Sequence, residues 1–186
     1  MYFRYTNLTI EHLEFLDMIA DSQGFVKQNV ARSSELVEYD SLLVNPMALD
    51  SFEKMQKVGF LLDLNLCIVS AYRDLDEQVE CFFRGTCPKG SVYNPIQNFF
   101  GLGDLCEVKK DYLARSRWVA PPGYSEHHTG LALDFCSQSL EFANTQEYQW
   151  LLDNAANFGF IQSYPEFNTT QKGCSYEPWH WLYIGV

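Results

Sequence analysis

Basic residues are scarce in this chain. Its 186 residues hold 13 Lys and Arg against 24 Asp and Glu, a formal charge of −11 at pH 7. Nucleic acids and anionic membranes are bound through clustered Lys and Arg, so neither is expected as a partner. Long apolar runs are lacking as well. The richest stretch, Val58 to Val69, is interrupted by Gly59, Asp63 and Asn65, short of the roughly 18–20 apolar residues that span a membrane. The N-terminus, Met1-Tyr-Phe-Arg-Tyr-Thr-Asn, has neither an apolar segment nor a small-residue cleavage site. No secretory signal is read there, which favours the cytoplasm, with action in the periplasm or at the cell wall as the alternative. None of the six cysteines forms a Cys-x-x-Cys pair, which argues against a zinc ribbon or a thioredoxin-like site. Cys67 and Cys136 read as small core residues. Cys81, Cys87 and Cys106 flank a loop-like region and would close a disulfide only in an oxidising compartment. Histidine is rare too: there are four, and three of them fall in two short stretches near the C-terminus.

What is present builds a core. The chain is 47% apolar and 16% aromatic, which excludes disorder, and its length suits one domain. The expectation is a monomer with a single domain over 1–186. Within it, 1–60 form a helical N-terminal part and 85–123 a long loop or lid insertion. That insertion holds four of the seven prolines and five of the eleven glycines, and loops of such length are usually functional.

Apolar spacing predicts a helix over 8–22, with Thr9 as N-cap, His12 three residues on and facing solvent, and Gly24 as the stop. One short edge strand is expected in 25–45. Pro46 opens a second helix over 47–58, with Ala48, Phe52, Met55 and Val58 inward and Gly59 as its stop. A buried strand over 64–69 leads to Ser70-Ala-Tyr72-Arg73, and Asp74 caps a helix through Phe83. A short helix is expected near 104–114. Further strands are read at 131–135, 160–164 and 179–184, and a helix at 145–158. The sum is an α+β fold: a central antiparallel sheet carrying polar residues at strand ends, flanked by helices.

Three segments carry chemistry: Ser125-Glu-His127-His-Thr-Gly130-Leu-Ala132-Leu-Asp134, Glu177-Pro-Trp179-His180-Trp, and Tyr72-Arg73 with Gln78. A catalytic zinc takes three protein ligands and keeps one position open. Gly130 supplies a turn between His127 and Asp134. On a strand, Ala132 and Asp134 face opposite to Leu131 and Leu133, so both ligands can serve one side of the sheet. His180 can add the third ligand from a neighbouring strand. Glu177 then stands where a general base would act on water, and Arg73 offers a guanidinium fork for a developing oxyanion. Taken one at a time, each residue has a plainer reading: a capping His, an edge Asp, an aromatic corner. Their joint occurrence outweighs those readings. His128 is expected to point away from the metal, as a surface residue or one that supports the site from outside the ligand set, because neighbours on an extended segment alternate.

Over roughly its last two thirds, the chain resembles the VanY-type zinc D,D-peptidases, which share one metal fold with D-Ala-D-Ala dipeptidases and hedgehog-like domains. Ser70-Ala71-Tyr72-Arg73-Asp74 with Gln78 follows the pattern S-G-Y-R-S-x-x-x-Q, with Ala71 and Asp74 as departures. Pro122 to Asp134 completes P-G-x-S-E-H-x-x-G-x-A-x-D. Glu177 to Tyr183 follows E-P-W-H-W-R-Y, with Leu182 in place of Arg. The resemblance implies one Zn²⁺ held by His127, Asp134 and His180, with Glu177 as base and Arg73 stabilising the transition state. It implies that Ser125 and Gln78 position substrate, and Tyr72 and Trp179 join them as cleft candidates. The implied substrate is a peptidoglycan stem peptide or precursor ending in D-Ala-D-Ala. An L,D-carboxypeptidase, a D,D-dipeptidase, an endolysin-type peptidase and a non-catalytic zinc module stay open as alternatives.

Overall fold

Helix ends fall where side chains can satisfy the free backbone groups. The computed structural model describes residues 5, 8–84, 112–167 and 173–185. Helix α1 (Ile10–Gln23) starts at Thr9 and ends at Gly24, which takes the left-handed conformation at φ 70°. His12 corrects the expectation of a solvent-facing residue. It is buried, and its Nδ1 accepts the Thr9 N–H at 2.8 Å, closing a capping box with Thr9. Helix α2 (Pro46–Phe60) opens on Asn45, whose Oδ1 accepts the Met47 N–H at 3.0 Å. Ala48, Phe52 and Met55 face inward as expected, but Val58 does not. Gly59 is no stop either. It lies inside the helix, where an added Cβ would come within 2.9 Å of Leu66 Cδ1. Close packing against Leu66 selects the glycine there.

The chain divides into two compact units. Residues 1–28, 74–125 and 169–175 make the first; 29–73, 126–168 and 176–186 make the second. In the first, α1, α3 (Leu75–Arg84) and a helical segment at 112–116 pack Leu16, Ile19, Val79, Phe82 and Tyr112 together. Asp74 caps α3 reciprocally with Glu77: each side chain accepts the other's N–H, at 2.7 and 2.9 Å.

The second unit is built on a sheet with its apolar core on one face. Strands β3 (Ile68–Ser70), β4 (Ala132–Phe135), β5 (Phe160–Gln162) and β6 (His180–Tyr183) pair antiparallel in the order β3-β4-β6-β5. Leu133, Phe135, Phe160 and Trp181 pack with Phe52 and Met55 of α2, and with Tyr148 and Leu151 of α4 (Gln146–Asn154). Each such side chain contributes about 1.5–3 kcal/mol by leaving water. Alternation then turns Asp134 and His180 to the opposite face. In place of the single edge strand expected in 25–45, a hairpin forms from β1 (Val37–Tyr39) and β2 (Leu42–Val44). Its turn, Asp40-Ser41, has φ of 48° and 67°, as a two-residue hairpin turn of the I′ type requires.

The 64–69 strand is shorter than expected, since only Ile68–Ser70 pair. Cys67 and Cys136 are half-buried and face each other just beyond that pairing, the Cys136 N–H donating to the Cys67 carbonyl at 2.9 Å. Burial pushes the Cys136 thiol up to about 12. Cys67, Cys81 and Cys136 are free thiols. Cys87, Cys106 and residues 85–111 of the insertion lie outside the described residues. Among the described residues, no helix is long and apolar enough to cross a membrane.

Candidate metal centre

Strand register brings two of the expected ligands face to face. Asp134 on β4 pairs directly with His180 on β6, which sets side chains on one face about 5 Å apart at Cβ. His180 Nδ1 lies 3.0 Å from Asp134 Oδ1. His127 arrives from a 3₁₀ turn, Glu126–Thr129, and its Nε2 lies 3.4 Å from Asp134 Oδ2. Gly130 ends that turn at φ 69°, where a side chain would be strained.

Among the described residues, His127, Asp134 and His180 offer one ligand atom each within 4.8 Å of one another, all three buried. A tetrahedral zinc with bonds of about 2.0–2.1 Å holds its ligand atoms roughly 3.3 Å apart, close to the spacings found. The donor chemistry fits as well. His127 Nδ1 faces the Ala71 carbonyl at 2.6 Å and must donate there, which leaves Nε2 as a free lone pair.

Charges in the site are sorted by their surroundings. Burial opposes ionisation of Asp134, but His127 and His180 hold its carboxyl well below the usual range. Burial lowers His127. Burial would lower His180 too, but hydrogen bonds to Asp134 and Glu126 outweigh it and push the imidazole up to about 10. Glu177 stands 3.9 Å from His180 Nδ1, and burial pushes it up to about 7. Its backbone is fixed at both ends: its N–H donates to Tyr164 O at 3.0 Å and its carbonyl accepts from Gln162 Nε2 at 3.1 Å. Arg73 adds positive charge that acts on both His127 and Glu177.

His127, Asp134, His180, Glu177 and Arg73 are thus gathered in the second unit. Tyr72, beside Arg73, donates its hydroxyl to Ala31 O at 3.1 Å, and Trp179 packs against the sheet core. Gln78 and Ser125 belong to the first unit, both buried; the Gln78 amide donates to Ala120 O at 2.6 Å.

Of the supporting residues, His128 was expected at the surface or behind the ligands, and the others escaped the sequence reading. His128 is fully buried, and its Nδ1 meets the Arg73 carbonyl at 2.7 Å, while the Arg73 N–H donates to His127 O at 3.2 Å. The two histidines thereby fix the Arg73 backbone. His128 stands outside the ligand cluster, as expected, although the segment that carries it is a 3₁₀ turn and not a strand. Gln138 donates to Asp134 Oδ2 at 2.7 Å, and the Tyr164 ring lies over His180 with centroids 5.1 Å apart. Glu126 accepts from His180 Nε2 at 2.9 Å. Its only sequence signal was its place between Ser125 and His127.

Converging imidazoles beside a carboxylate raised toward neutrality are the equipment of metal-dependent hydrolases. Comparison with known proteins narrows that class. A family model described as VanY, D-alanyl-D-alanine carboxypeptidase, matches residues 41–186, and the chain belongs to that family. A D-alanyl-D-alanine carboxypeptidase of Enterococcus faecium is 29% identical over 177 residues, covering 95% of this chain and 45% of that protein. The solved structure of VanYB in complex with D-alanine-D-alanine matches with a TM-score of 0.66 at 25% identity, covering 87% of this chain and 85% of that one. A vancomycin-resistance D,D-pentapeptidase VanY in complex with Zn(II) matches with a TM-score of 0.64 at 25% identity, covering 87% and 86%. The chain spans less than half the length of the curated relatives it matches.

Proposed function

We propose that this chain is a zinc D,D-carboxypeptidase acting as a monomer, with 1–186 as one peptidase domain. It removes the terminal D-Ala from peptidoglycan stem peptides or precursors ending in D-Ala-D-Ala. The observation that carries the reading is the position of Glu177: a buried carboxylate raised to about 7, set 3.9 Å from one member of a His127, Asp134 and His180 donor set. Two imidazoles and one carboxylate also suit non-haem iron. The buried base beside them favours hydrolysis, as does the Zn(II) bound by a structural relative.

Zinc bound by His127 Nε2, His180 Nδ1 and Asp134 would supply Lewis acidity and lower the pKa of water. Glu177, poised near neutrality, takes the proton of the attacking water and returns it to the leaving D-Ala amine. Arg73 holds the negative charge that develops on the carbonyl oxygen. By motif register, Ser125, Gln78, Tyr72 and Trp179 position the substrate.

The test is incubation with a stem pentapeptide ending in D-Ala-D-Ala, the corresponding tetrapeptide and free D-Ala-D-Ala, with products read by mass. Loss of one D-Ala from the pentapeptide is expected. Turnover of the tetrapeptide alone would make the chain an L,D-carboxypeptidase, and turnover of the dipeptide alone a dipeptidase. Zinc binding with no turnover would make it a non-catalytic module.

A further inference from the structure

The proposed chemistry leaves Glu126 without a role, although it is the carboxylate that His180 Nε2 meets, at 2.9 Å. We propose that Glu126 is a positioning residue that fixes which His180 nitrogen faces the metal; this rests on the zinc reading above. A neutral imidazole has one N–H and one lone pair, and a ligand must offer the lone pair. The His180 nitrogen in the converging donor set is Nδ1, 3.0 Å from Asp134 Oδ1. With the metal on Nδ1, Nε2 must carry the ring's one hydrogen, and Glu126 is the acceptor it meets.

The ring's other freedoms are already restricted. Tyr164 lies over one face, and His127 approaches edge-on with centroids 4.9 Å apart at 82°. What stays open is a ring flip that would exchange the two nitrogens, and the Glu126 bond opposes it. Glu126 is itself held. Ser163 Oγ donates to the same Oε2 at 2.6 Å, and Thr129 Oγ1 donates to the Glu126 carbonyl at 2.7 Å. One 3₁₀ turn thus delivers the ligand His127 and, one residue earlier, the group that orients the other histidine. His127 is served by a backbone carbonyl, whereas His180 is served by a carboxylate. The carboxylate makes its imidazole the more basic ligand.

The test measures zinc affinity by chelator competition and reads the His180 tautomer by nitrogen-15 NMR of the ring in the zinc-loaded protein, in wild type, Glu126→Ala, Glu126→Gln and Ser163→Ala. Glu126→Ala is expected to weaken zinc binding about 10- to 100-fold and to mix the tautomers. Glu126→Gln keeps an acceptor oxygen and should restore the Nε2–H tautomer and most of the affinity. If Glu126→Ala does not fold, Ser163→Ala loosens Glu126 alone and should show a smaller loss with partial tautomer mixing. Unchanged affinity and an unchanged Nε2–H tautomer in the readable variants would overturn the proposal. A wild type that binds no zinc would overturn the metal reading instead.

Discussion

Gly130→Ala is the substitution that most directly tests how the fold delivers His127. Gly130 sits at φ 69°, where an L side chain costs roughly 1–2 kcal/mol. The new Cβ would also fall 2.6 Å from Leu36 Cδ2 and 3.3 Å from the Asn45 nitrogen. Leu36 can swing aside, but it is buried, so the move disturbs packing. The Asn45 nitrogen cannot move far, because its N–H donates to the Gly130 carbonyl at 3.0 Å. Overpacking of this kind costs about 1–3 kcal/mol. The expected total is about 2–5 kcal/mol, a large share of a domain's usual stability. Urea unfolding of metal-free protein, followed by tryptophan fluorescence, measures it without masking by zinc linkage. Gly130→Asn should recover part of the conformational cost but none of the clash. Combining Gly130→Ala with Leu36→Ala should cost about 1 kcal/mol less than the sum of the single changes, the clash having been removed. A loss below about 1 kcal/mol for Gly130→Ala would refute the conformational argument. Strict additivity with Leu36→Ala would refute the steric one.

Other changes separate metal binding from catalysis. Glu177→Gln should keep zinc, by elemental analysis, and lower kcat for D-Ala release about 10²–10⁴-fold; full activity at full zinc occupancy would remove Glu177 as the base. His127→Ala and His180→Ala should each lower zinc occupancy after dialysis, and normal occupancy in either would remove that ligand. Chelator treatment of the wild type should lower Tm and zinc should restore it, the stabilisation being about 2.7 kcal/mol at 100 times Kd; a Tm indifferent to zinc would argue against a native-state site. Phe135→Ala, in the sheet core, should cost about 3–5 kcal/mol in urea unfolding.

The sheet and the donor set were legible because both follow short-range rules. Alternation at Leu131-Ala-Leu-Asp-Phe put Asp134 on the face opposite Leu133, and the structure keeps it there. Capping signals at Thr9, Pro46 and Asp74 marked helix starts to within a residue. Failures came where a local rule met a tertiary contact. Gly59 read as a stop because glycine usually ends helices, yet Leu66 packs against it within α2. His12 read as solvent-facing because its capping bond to Thr9 carries no hydrophobic signal. The β1–β2 hairpin was invisible because Asp-Ser is not the usual glycine-containing pair for its turn. Glu126 was missed because a 3₁₀ turn points successive side chains in directions that strand alternation does not describe.

Net charge was the first fact read from this chain, and the site shows why a sum over the sequence says little about chemistry. Three of its acidic residues, Asp134, Glu126 and Glu177, meet around two imidazoles. All three face the same burial penalty on ionisation. Asp134 is held low by both histidines, and Glu126 by hydrogen bonds from His180 and Ser163. Glu177 stands beyond hydrogen-bond reach of His180, and the charge of Asp134 adds to its burial, so it alone is driven up. Residues of one type pushed apart in this way take different roles. In the proposed site the two held low serve as fixed acceptors, Asp134 toward the metal and Glu126 toward His180. The one raised to about 7 is the carboxylate able to take up and give back a proton near neutral pH, which is the property peptide hydrolysis requires of its base.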